Sequence, residues 1–132
     1  MNEATNTKLI ESIFDAFGSG DIPYILEQLT DDVQFTAHLD PIVPWAGTYG
    51  GKAAVVEYFQ ALGGSVEVLE HPVTGLVAQD DTVVARGDVT FRARSTGTQS
   101  TSAWVYVWKV RDDKVCSFEQ FNDPNLARPF GA

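Results

Sequence analysis

The hydrophobic pattern of this chain changes its dominant period near residue 64, and that change restricts the fold more than any other feature. Before it, helical spacing prevails. Leu9, Ile10, Ile13, Phe14 and Phe17 form one apolar stripe, and Gly18-Ser19-Gly20 ends it. Asp21 is placed to cap a second, short helix, with Pro23 in the first turn, where the missing N–H is not needed. Its apolar face is Ile22, Ile25, Leu26 and Leu29. A third helix runs from Lys52 to Leu62, with Val55, Tyr58, Phe59 and Leu62 on one side and Gly63-Gly64 at its end. One strand intervenes, because Val33, Phe35, Ala37 and Leu39 alternate with Gln34, Thr36, His38 and Asp40. Residues 41–51, with two prolines and three glycines, read as a loop.

After Gly64 the period becomes two. Strands are expected over about 65–78, 82–94, 99–110 and 114–122, and the short connections between them make neighbours antiparallel. Pro72 and Gly75 interrupt the first of these and imply a bulge or an edge. The order ααβαββββ predicts an α+β fold, with three N-terminal helices packed on one face of a curved, mainly antiparallel sheet. Residues 1–132 read as one domain.

Composition narrows the class. A chain of 132 residues, 44% hydrophobic, can bury a core unaided by metals or disulfides. Its single cysteine, Cys116, excludes a disulfide framework and a cysteine-based zinc site. A net charge of −9 makes nucleic acid and anionic membrane poor partners. No apolar run is long enough for a membrane span, and residues 1–30 lack the pattern of an export signal, so a cytoplasmic location is expected. The charge is uneven: the acids crowd the first 40 residues, and six of the nine bases fall between 86 and 114. That reads as a solvated helical face followed by charged strand edges.

The hairpin around Thr96-Gly97 predicts which residues share a face. With those two as the turn, Trp104 faces Val89, Tyr106 faces Gly87 and Trp108 faces Ala85. Val83, Ala85, Gly87, Val89 and Phe91 then join the three aromatics in an apolar wall, and Arg86, Asp88, Thr90, Arg92 and Arg94 take the other face. For the last strand two registers are open. A three-residue turn at Arg111-Asp112-Asp113 brings Phe118, Gln120 and Asn122 to the wall, whereas a two-residue turn brings Glu119. A carboxylate there would have a raised pKa and read as a general base.

Several segments carry a family likeness: Ile13–Asp21 (IFDAFGSGD), Leu29–Val33 (LTDDV), Pro44–Gly51 (PWAGTYGG), Tyr58-Phe59 and Val105–Asp123 (VYVWKVRDDKVCSFEQFND). Together they resemble the SnoaL-like branch of the nuclear-transport-factor-2-like (NTF2-like) superfamily, although Asp113 stands where the family usually has glycine. The resemblance implies a cone-shaped fold enclosing a pocket, a hydrophobic small-molecule ligand and a homodimer. It also favours the three-residue turn. The scaffold hosts isomerases, cyclases, dehydratases, epoxide hydrolases and binders, so function must come from the site.

Each chemistry of the family meets a gap. Arg86-Gly87-Asp88 superficially matches the Arg-x-Asp of limonene-epoxide-hydrolase-like members. The matching positions nevertheless fall on Gly87 and Val89, the second acid on Gln120, and the polar helpers on Phe35 and Ala37. Ketosteroid isomerases place a tyrosine where this chain has Ile13 and an aspartate near Tyr106, while their base corresponds to Asp40 only with two residues inserted. A reduced version makes Asp40 the base and the Tyr106 hydroxyl the group that polarises a carbonyl. Phe35, Trp104, Trp108, Phe118 and Gln120 are the expected ligand-lining residues.

The remaining groups suggest structural roles. Asp123 is expected to anchor the tail at Asp123-Pro124-Asn125. His38 reads as exposed, His71 as a rim or edge residue and Cys116 as a packed thiol. No spacing fits a metal or nucleotide, so the site is read as metal- and cofactor-free. The expected function is an isomerase-, cyclase- or lyase-like proton transfer on a hydrophobic small molecule. A non-catalytic binder is the alternative, and an epoxide hydrolase is disfavoured.

Overall fold

Helix α1 (Glu3–Ser19) opens where the Asn2 side chain accepts the Thr5 N–H and closes at Gly20, whose φ of 75° lets its N–H reach the Ala16 and Phe17 carbonyls. These details come from a computed structural model that describes residues 2–131. Asp21 caps α2 (Ile22–Glu27) by accepting the Tyr24 N–H, with Pro23 in the first turn. Strand β1 (Leu29–His38) follows, then the short β2 (Gly47–Gly50), which lies inside the stretch expected to be loop. Helix α3 (Lys52–Ser65) runs three residues past Leu62, through Gly63-Gly64.

The strand expected over 65–78 is two strands, β3 (Val66–Glu70) and β4 (Val73–Gln79), broken at His71-Pro72. Both pair with β5 (Thr82–Ala93), β3 with its end and β4 with its beginning. Proline has no N–H for the ladder, so the chain leaves and rejoins the sheet there. Strands β6 (Gln99–Arg111) and β7 (Lys114–Asn122) complete a sheet of order β2-β1-β7-β6-β5-β3, with β4 beside β5. Only the β1–β7 pair is parallel among those described. This is the expected curved, mainly antiparallel α+β arrangement.

Two registers differ from the sequence reading. The β5–β6 connection is wider than Thr96-Gly97: Arg92 pairs with Gln99, and the Gly97 N–H donates to the Ala93 carbonyl. Trp104 therefore faces Gly87, Tyr106 faces Ala85 and Trp108 faces Val83. A shift of two residues preserves the faces, so Val83, Ala85, Val89 and Phe91 are buried. The β6–β7 turn has two residues, Asp112-Asp113, both at positive φ. Such a turn alone would bring Glu119 inward. Between Lys109 and Val110, however, the register slips and Cys116 is left over as a β-bulge, its thiol directed at the Lys109 carbonyl. The extra residue reverses the faces beyond it, and Gln120 comes in opposite Tyr106.

The core lies between the concave sheet face and helices α1, α2 and α3, with Ile10, Ile13, Ile25, Val55 and Tyr58 buried from the helical side. Asp123 anchors the tail as expected, accepting the N–H groups of Ala103 and Asn125. Among the described residues no helix is long and apolar enough to cross a membrane.

Candidate functional site

A cavity remains between α1, α3 and the concave face, in which the centre of a water molecule can range through about 70 Å³. Adding the water radius of ~1.4 Å all round a compact space of that size gives roughly 250 Å³, room for a small organic molecule. Helix α1 supplies Ile13, Phe14 and Phe17, and α3 supplies Tyr58, Phe59 and Leu62. The sheet contributes Phe35, Tyr106, Trp108, Phe118 and Gln120. Among the described residues no aspartate, glutamate, lysine or arginine lines it.

Polar groups occur in two places. At one, the buried Tyr58 hydroxyl donates to Gln120 Oε1 at 2.8 Å, and Gln120 Nε2 donates to Asn122 Oδ1 at 2.8 Å. Asn122 Nδ2 continues to Ser102 Oγ, which ends on the Ala103 carbonyl. A chain of this kind satisfies groups whose burial would otherwise cost about 1–3 kcal/mol each. Burial raises the Tyr58 pKa, with the nearby Tyr49 adding to the shift.

At the other place His71 Nε2 and the Tyr106 hydroxyl are 3.0 Å apart. The break in the strand at His71-Pro72 puts this imidazole over the sheet, stacked on Trp104 at 4.8 Å, and Tyr106 stacks on the same indole at 4.0 Å. Burial among these rings lowers the His71 pKa to about 4 and, together with Tyr58, raises that of Tyr106 well above the ordinary phenol value. At neutral pH the pair is an uncharged imidazole beside an uncharged phenol.

The expected lining residues divide. Phe35, Trp108, Phe118 and Gln120 face the cavity, whereas Trp104 lies behind Tyr106 and His71 as a buried platform and is not a lining residue. Asp40 and Tyr106 are not brought together. β1 ends at His38, and Asp40 turns outward to accept the Ile42 N–H at 3.0 Å, exposed beside a separate polar recess with His38, Asp123 and Arg128. Glu119 points away too, 3.1 Å from exposed His38. Arg86 and Asp88 are exposed on the outer face, and the described ion pairs do not include one between them.

Two cavity residues were given no chemical role in the sequence reading, Tyr58 being read as core and His71 as a rim or edge residue. Tyr58 stood in the α3 stripe as a core aromatic, yet a hydroxyl on a buried stripe needs a polar partner, and Gln120 was the polar residue on the facing wall. His71 offered no periodic signal, because its position follows from the strand break alone. No group of three or more histidine, cysteine, aspartate or glutamate side chains is arranged for a metal among the described residues.

Comparison with known proteins agrees with this fold. A family model described as the SnoaL-like domain matches residues 10–118. An NTF2-like protein from Burkholderia xenovorans LB400 is 30% identical, with a TM-score of 0.88 over 99% of each chain. An NTF2-like protein of unknown function from Burkholderia pseudomallei K96243 is 23% identical, with a TM-score of 0.87 over the whole of both chains. TerC, co-crystallised with polyporic acid, is 22% identical, with a TM-score of 0.78 over 97% of this chain and 99% of that one. No curated protein matches.

Proposed function

The chain belongs to the SnoaL-like domain family, and from that premise we propose that it performs a proton transfer, isomerase- or cyclase-like, on a compact apolar molecule held in this cavity. The observation that carries the reading is the His71–Tyr106 contact at 3.0 Å on the wall of a cavity that no carboxylate lines among the described residues. With its proton on Nε2, His71 donates to the Tyr106 oxygen, which leaves Nδ1 as a base and the phenol proton free for a carbonyl. Nδ1 takes a proton from the carbon beside that carbonyl. The electron pair moves onto oxygen, and the Tyr106 hydroxyl stabilises the enolate. A base near pKa 4 is always free at neutral pH, and a carboxylate of similar strength suffices for enolisation in ketosteroid isomerase. His71 thus takes the role expected of Asp40, while Tyr106 keeps its own.

Deuterium exchange tests this. In D2O, the α-protons of 1-indanone are expected to exchange faster with the protein than in buffer, and His71→Gln or Tyr106→Phe should remove the excess. Binding without exchange would support the second reading, a non-catalytic binder, which the missing carboxylate favours. The co-crystal of TerC with polyporic acid is a ligand precedent on the same fold. A homodimer and a cytoplasmic location belong to the same proposal. Val84, Val105 and Phe121, exposed on the outer sheet face, offer the dimer an apolar surface, and sedimentation measures it.

A further inference from the structure

Aromatic rings surround the His71–Tyr106 contact, and each holds a different part of it. Trp104 lies behind it on β6 and carries both members on its face. Phe118 reaches Tyr106 from β7, with ring centroids 5.0 Å apart, and Phe17 reaches His71 from α1 at 5.4 Å. Phe14, also on α1, packs beside both: its ring centroid is 6.0 Å from that of His71 and 6.2 Å from that of Tyr106. Trp108 meets the same phenyl ring nearly at a right angle, at 5.8 Å.

Position sets Phe14 apart from the others. Trp104 and Phe118 are buried within the sheet, whereas Phe14 is half-buried and projects from the helical side. It lines the cavity together with both members of the pair, so its phenyl group fills space that borders their polar contact and is continuous with the ligand chamber. Close-packed interiors do not accept a second ring where one already stands. A carbonyl that meets the Tyr106 hydroxyl would therefore have Phe14 on one flank and open cavity on the other. We infer that Phe14 is the specificity-determining residue for ligand size at the pair, admitting ketones with an aromatic ring on one side of the carbonyl and excluding those with a ring on both.

This inference rests on the proposed ligand site, with a carbonyl at Tyr106, but not on proton transfer, so binding tests it. The probes are 1-indanone and 9-fluorenone, which carries one more fused benzene ring, a group no larger than the phenyl ring that Phe14→Ala removes. Quenching of tryptophan fluorescence reads their affinities for the full chain at pH 7. The unmodified chain is expected to bind 1-indanone at least about tenfold more tightly than 9-fluorenone. Phe14→Ala should shift the ratio of the two affinities toward 9-fluorenone by about tenfold or more, the effect of burying one added ring. A substitution that only loosened the fold would weaken both ketones alike and leave that ratio unmoved. Phe59→Ala removes the same group from α3, where its ring neighbours are Phe35 and Tyr58, and should shift the ratio less than about threefold. Where Phe14→Ala does not fold, Phe14→Leu is expected to move the ratio the same way by at least about threefold. An unchanged ratio in the Phe14 variants, an equal shift in Phe59→Ala, or equal affinities in the unmodified chain overturns the role of Phe14 and leaves the ligand site standing. Failure of both ketones to bind any of these chains overturns both.

Discussion

Gly87→Ala tests whether the His71–Tyr106 pair is held in place by a close backbone crossing. A Cβ at residue 87 would lie 2.1 Å from the Pro72 carbonyl oxygen and 2.6 Å from Trp104 Cζ2. Trp104 cannot yield, because it is 2% exposed and carries His71 on its face. The crossing must therefore lift by about 1 Å to reach the 3.0 Å that real Cβ contacts keep. Overpacking of this kind costs about 1–3 kcal/mol, and weakening the 3.1 Å bond from the Asp88 N–H to the Pro72 carbonyl adds about 1 kcal/mol. Alanine returns about 0.5–1 kcal/mol by restricting the unfolded chain. The expected net loss is near 2 kcal/mol by that arithmetic, a drop in Tm of roughly 8 °C for a chain of this size. Urea denaturation at unchanged m-value measures the loss. A second readout follows the imidazole: as the crossing lifts, His71 gains water and its pKa, about 4 in the native packing, rises toward 6.5 in an NMR titration. A loss below about 0.5 kcal/mol, with the His71 titration unmoved, would refute the steric argument.

The other predictions follow from the same geometry. His71 binds its proton more readily in the unfolded chain (pKa about 6.5) than in the fold (about 4), so stability is fully present above 6.5 and is lost as pH falls toward 4, by at most about 3 kcal/mol. Denaturation between pH 7 and 4 should show that slope, and His71→Gln should flatten it. Tyr58→Phe leaves Gln120 Oε1 unpaired in the core and is expected to cost about 1–2 kcal/mol in urea denaturation while weakening ketone binding less than threefold. Asp40→Asn should change 1-indanone exchange less than about twofold, because Asp40 is exposed and bonded to the Ile42 N–H. A tenfold fall would restore Asp40 as the base and remove His71 from that role.

Face assignments were legible in the sequence and exact partners were not, for a reason rooted in strand geometry. Alternation fixes which of two faces a residue takes, so Tyr106, Trp108 and the odd residues from Val83 to Phe91 could be placed without knowing the turn. The opposite residue depends on loop length, and the wider connection after Ala93 moved every β5–β6 pair by two. On β7 even the face depended on a bulge at Cys116. A two-residue turn and a one-residue bulge give the same inward Gln120 as the three-residue turn that the family likeness favoured. Gln120 could thus be placed correctly from an incorrect turn.

The position of Asp40 outside the cavity has a different origin. A carboxylate at a strand end invites a catalytic role, but Pro41 follows it, and an aspartate in that position satisfies the next turn instead. His71 is its mirror image. Nothing periodic marks it, yet Pro72 breaks the ladder beside it and Gly87 lets the break lie close to the sheet. Of the pair on the cavity wall, His71 stands where regular structure is interrupted and Tyr106 on a regular strand. Alternation on the regular strands supplies the apolar walls around them, and those walls keep His71 neutral.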